Sequence, residues 1–181
     1  NGELTNFTGS GAVYTATFTP NANDATGKTD CSISVDAGVF TDAVGNDNIA
    51  SNTFTWTFAN TKPTMTITAT ASGSNLASGS ITKNTPILLT FALSEVPTGF
   101  EYADISVTNG ALTNFAGSGA VYTATFTPTG QGACTIDVAA GGYTDAAGNS
   151  NNVATRFNWT FDSVQPGITI TSTTAGVTSG S

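Results

Sequence analysis

The chain has 181 residues and a formal net charge of −8, from twelve acids against four bases, and charged residues make up only 9% of it, well below the usual quarter. Four scattered cations (Lys28, Lys62, Lys83 and Arg156) build no basic patch, so nucleic acid and anionic membrane are poor partners, and no apolar run is long enough for membrane insertion as a helix. There is no histidine, which removes Ser-His-Asp and Cys-His catalysis, histidine-ligated metals and a histidine pH switch.

The chain repeats itself. Residues 1–20 read NGELTNFTGSGAVYTATFTP and return at 109–128 as NGALTNFAGSGAVYTATFTP. CSISVDAGVFTDAVGNDN from Cys31 returns from Cys134 as CTIDVAAGGYTDAAGNSN, FTWTF (54–58) as FNWTF (157–161), and KPTMTITA (62–69) as QPGITITS (165–172). The last three share an offset of 103, and loops after Pro20 and Pro128 absorb the different spacing of the first. A unit of this length is the size of an immunoglobulin-like domain. The expected segments are 1–61, the C-terminal part of one repeat; 62–164, a complete repeat; and 165–181, the first strand of the next. Beginning and ending inside a unit, the chain is expected to be a window on a longer array, or to take its missing strands from partner chains.

Within 62–164 the apolar residues alternate with Thr, Ser or Asn at period two. PTMTITATA comes first, then PILLTFALSE, whose Ile87, Leu89, Phe91 and Leu93 share one face. DISVTNGAL follows. In AVYTATFTP, Tyr122, Ala124 and Phe126 point one way and Thr123, Thr125 and Thr127 the other. ACTIDVAAG groups Cys134, Ile136 and Val138, and RFNWTF groups Phe157, Trp159 and Phe161, as Phe54, Trp56 and Phe58 are grouped earlier. About seven strands result, divided by turn clusters such as SGSNLASGS, GSG and DAAGN. Strict alternation suits antiparallel sheets with one buried face. The expected fold is therefore all-β, an immunoglobulin-like antiparallel β-sandwich in tandem repeats.

Three features together resemble the bacterial Ig-like repeats of large surface adhesins, biofilm-associated proteins and related secreted filament proteins. They are the Pro-led Thr/Ile run after a short linker, the ALTNF–GSG–AVYTATFTP segment, and the TDAAGN turn before the last aromatic strand. The likeness covers essentially the whole chain. It implies a stalk, spacer or fibre module, extracellular or at the cell surface, with no catalytic residue. It also implies that calcium can bind where one domain meets the next, through linker acids. Asp162 is such an acid, although its counterpart in the first copy is Ala59.

The candidate sites are few. Asp42 in TDAVGN and Asp145 in TDAAGN offer oxygens to calcium. They equally suit a turn in which the carboxylate takes backbone N–H groups and Gly45 or Gly148 supplies the positive φ. Cys31 and Cys134 occupy equivalent places on inward strand faces, as small buried hydrophobes or as a crosslink between chains packed side by side. Asn6 (NFT) and Asn158 (NWT) match the glycosylation sequon, though neither counterpart does. Thr-x-Thr runs space hydroxyls about 6.6–6.8 Å apart along a strand, a ladder that could face a glycan or ice and that also serves as an ordinary wet face. The acids offer no glycosidase pair that a repeat would not have to duplicate.

The expected function is that of a structural module, not an enzyme. It builds an extracellular filament or cell-surface fibre from copies of itself, through strand edges and side-by-side packing. The alternative is a monomeric stalk of an adhesin, with surface glycans as further partners.

Overall fold

The computed structural model describes residues 1–22 and 27–176. Its strands are β1 (Gly2–Ser10), β2 (Val13–Pro20), β3 (Lys28–Ile33), β4 (Phe54–Ala59), β5 (Met65–Ala71), β6 (Ser74–Leu76) and β7 (Ser80–Thr82). They continue with β8 (Ile87–Leu93), β9 (Ile105–Thr108), β10 (Gly110–Ser118), β11 (Val121–Pro128), β12 (Gly132–Val138) and β13 (Phe157–Phe161).

Alternation decides the faces. In β5, Met65, Ile67, Ala69 and Ala71 are buried while Thr66, Thr68 and Thr70 are exposed. The predicted sets of β8, β12 and β13 are likewise buried, and β11 buries Ala124 and Phe126 with Tyr122 packed against the core. From β5 onward the strands form two sheets, one ordered β10-β11-β8-β5-β6 and the other β7-β13-β12-β9. Every pairing is antiparallel except that of β13 with β7. Between the sheets, Trp159 meets Phe126 edge-on at 4.8 Å, and Phe100 is ringed by Phe91, Phe115, Tyr122 and Tyr143. Each such side chain contributes on the order of 1.5–3 kcal/mol by leaving water.

The complete unit has nine strands where the sequence suggests about seven: two short ones, β6 and β7, lie at the SGSNLASGS cluster, and one apparent strand divides. The cluster SGSNLASGS folds back as a short hairpin, with Leu76 opposite Ala69. DISVTNGAL is not one strand but two, in different sheets, because Asn109 adopts φ +56° between them. Asparagine tolerates this left-handed conformation better than most residues. The Asn109 side chain then donates to the Gly130 carbonyl at 2.9 Å, tying the crossover to the β11–β12 connection.

Residues 1–58 contain the hairpins β1–β2 and β3–β4 as separate two-stranded sheets. The register of β1 on β2 reproduces that of β10 on β11, bulge included. Cys31 and Thr29 are buried and Phe18, Trp56 and Phe58 half-buried, but Leu4, Tyr14 and Phe54 are open to solvent, since the counterparts of β5 to β9 are not among residues 1–58. Residues 165–176 form no strand, and Ile168 and Ile170 are each 88% exposed. In the complete unit the matching segment draws its ladder from β8, and no described residue supplies such a partner here; residues 177–181 lie outside those described.

Candidate functional site

The repeated TDA-x-GN turns were the strongest chemical candidates. Asp145 is buried, and its Oδ1 accepts from the backbone N–H of Ala147 at 2.9 Å and of Asn149 at 2.8 Å. Its Oδ2 accepts from Asn149 Nδ2 at 2.8 Å. Asp42 takes the same three bonds, from Val44 N, Asn46 N and Asn46 Nδ2. Gly148 and Gly45 close the turns at φ +88° and +92°. Burial pushes the Asp145 carboxyl up, but the bonds from Asn149 and Ala147 outweigh it and hold the group below the usual carboxylate range. The Asn46 side chain and backbone do the same for Asp42.

A carboxylate with three N–H groups aimed at it has little left to offer a cation. Asp162 is engaged elsewhere: its N–H donates to the Thr82 carbonyl and its Oδ1 accepts from Val164 N, both at 3.0 Å, extending β13 beside β7. Among the described residues no three His, Cys, Asp or Glu side chains converge. Asp42 and Asp145 are thus each committed to their own turn, and Asp162 stands apart at the end of β13.

Cys31 and Cys134 are free and buried. Cys134 Sγ sits 3.6 Å from Asn109 Nδ2 and Cys31 Sγ 3.7 Å from the Asn1 carbonyl. Each thus packs beneath the equivalent asparagine at the head of the β10 or β1 hairpin. Burial pushes the Cys134 thiol up, with the Asn109 N–H acting the other way.

Asn6 has φ +53° at the bulge of β1, and Asn114 has φ +52° at the same place in β10. Its residue type is explained by the backbone. Asn158 is half-buried in β13, with β7 on one side and β12 on the other. The Ser78 Oγ accepts from its backbone N–H at 3.1 Å.

The threonine ladders assemble into one face. Across the five-stranded sheet Thr123 lies opposite Thr90, and Thr90 opposite Thr68. The row on one side runs Thr125, Leu88, Thr70, and the row on the other Val121, Ala92, Thr66. No strand of this sheet contains a charged residue.

Two residues escaped the sequence reading. Asn151 is buried; its Oδ1 accepts from Tyr143 N, and its Nδ2 donates to the carbonyls of Ala139 and Asn152. It holds the long β12–β13 loop closed, as Asn48 holds the β3–β4 loop through Val39, Phe40, Asp36 and Ile49. Asn149 reaches further, donating to the Ala59 carbonyl of the first unit at 3.1 Å. The only signal for either was the recurrence of GNDN as GNSN. Beside this contact lies an open cleft of about 350 Å³ lined by Gly27, Lys28, Ala59, Thr61, Glu95 and Asp145.

The model of the bacterial Ig-like domain family matches residues 1–58 and again 59–161. The chain belongs to that family and carries two consecutive segments of it. No curated protein and no solved structure matches the chain. Domains of this family are generally structural rather than catalytic, and they typically occur in surface proteins. No helix among the described residues is long and apolar enough to cross a membrane.

Proposed function

We propose that the chain is a structural module of an extracellular filament or cell-surface fibre, in which tandem units pack side by side on copies of themselves. One observation carries this reading: the five-stranded sheet has no charged residue in its strands and turns a face of Thr, Ala, Leu and Val outward. Solvent-facing sheets ordinarily carry charges that keep copies apart. Here Leu88 and Val121 stand about half exposed between hydroxyls, and two such faces desolvate cheaply against each other.

Association by edge pairing has less support. The edges β6, β7 and β9 are only three or four residues long, and the remaining edge, β10, is bulged; short and bulged edges resist strand addition. That feature favours the second reading, a monomeric stalk of an adhesin.

Sedimentation of the chain over a rising concentration series separates the two. The filament reading expects assemblies that disappear in the double variant Thr68→Lys/Thr90→Lys, with the unit still folded. A chain that stays monomeric throughout overturns the filament reading.

A further inference from the structure

The linker between the units is stitched to the second one almost from its start. Pro63 is fully buried, its carbonyl accepts from Asn152 N at 2.9 Å, and Thr64 and Ser94 exchange bonds of 2.9 and 3.0 Å. Only residues 60–62 separate this attachment from Ala59, the last residue of β4, which the β3–β4 ladder fixes opposite Lys28. A single covalent tether lets two bodies swivel about it. A second attachment, offset from the first, removes that freedom.

Asn149 supplies the second attachment. Its amide nitrogen has two N–H groups; Asp145 Oδ2 takes one at 2.8 Å and the Ala59 carbonyl the other at 3.1 Å. The first bond aims the second. With the aspartate fixed by two backbone N–H groups of its own turn, the amide is held in place before the neighbouring unit meets it. The acceptor is a backbone carbonyl at the end of a strand, a group that every unit with this final aromatic strand possesses whatever its side chain there. The same turn in the first unit holds Asn46 on Asp42 in matching geometry.

We propose that the Asp145–Asn149 turn is the joint that sets the orientation of one repeat on the next, its partner being the carbonyl that ends the last strand of the preceding repeat. This role is independent of whether chains pack laterally, because it concerns contacts along one chain. Each unit brings its own turn, so every joint in an array adopts the same angle.

The test is residual dipolar coupling of backbone amides in the full chain. In the native protein the couplings of both units fit one alignment tensor. Losing a hydrogen bond of this kind lowers the ratio of fixed to free orientations about fivefold, and Asn149→Ala is expected to require a separate tensor for each unit. Asn149→Ser, which keeps a hydroxyl near Asp145 but is too short for Ala59, gives the same split with the amide spectrum of the second unit intact. Asn46→Ala makes the identical change away from the joint and leaves a single tensor. A single tensor persisting in both Asn149 variants overturns the proposal. So does a split in Asn46→Ala as large as in Asn149→Ala.

Discussion

The two repeats set the same aromatic pair at the same angle and differ in what lies over it. Phe18 meets Trp56 at 4.8 Å and 76°, and Phe126 meets Trp159 at 4.8 Å and 79°. Yet Phe54 is 64% exposed where its counterpart Phe157 is 6% exposed, and Phe40 is 63% exposed where Tyr143 is 2%. Hairpin register, bulge and loop closure are therefore local properties, fixed by turns and by residues such as Asn48 and Asn151. Burial is not local. It comes from β5 to β9, which close the inner face of the complete unit.

The largest effect that sharpens this contrast lies at the tryptophans. Trp159→Ala should cost the second unit about 3–5 kcal/mol, as buried aromatic truncations do. Trp56→Ala, at a half-open site, should cost the first unit about 1–2 kcal/mol. Amide hydrogen exchange read residue by residue measures both, and equal losses would break the comparison.

Next come the loop asparagines. Asn151→Ala strands the buried Tyr143 N–H and removes two further bonds to the Ala139 and Asn152 carbonyls, and should cost about 2–3 kcal/mol. Asn48→Ala should cost about 1 kcal/mol, since water replaces bonds that are exposed. Urea titrations of each variant compare them.

The smallest effect is at Tyr143, whose hydroxyl is buried without a hydrogen-bond partner and whose ionisation burial and then Glu95 push up. The first unit has phenylalanine at this position. Tyr143→Phe should raise the stability of the second unit by up to about 1 kcal/mol, visible as a higher urea midpoint; a loss would mean that the hydroxyl has a bonded role.

The inward faces were legible because period-two alternation places Ile87, Leu89, Phe91 and Leu93, or Cys134, Ile136 and Val138, on one side whatever the rest of the chain does. Asn109 was not. It interrupts an apparently continuous strand by a backbone conformation that leaves no mark on the alternation, and so two strands of different sheets read as one. Asn151 was hidden for the opposite reason: burial follows hydrophobicity in a periodic reading, and this residue is buried by the bonds it makes to a loop without any period. The turn aspartates were legible as candidates, and their geometry decided between uses that spacing alone left open. The reach of Asn149 depends on where the preceding strand ends, which no pattern within the turn encodes.

The parallel pairing of β7 with β13 brings Ser80 opposite Trp159, partners far apart along the chain. A polypeptide emerging from its amino end makes β7 early and must wait for almost the whole unit before that partner exists. Until then Phe126 has no tryptophan to meet, and the incomplete sandwich leaves aromatic surface open to misassembly with its neighbours. The sandwich of the complete unit is thus closed by its final five-residue strand, and the module cannot be whole before that strand is made.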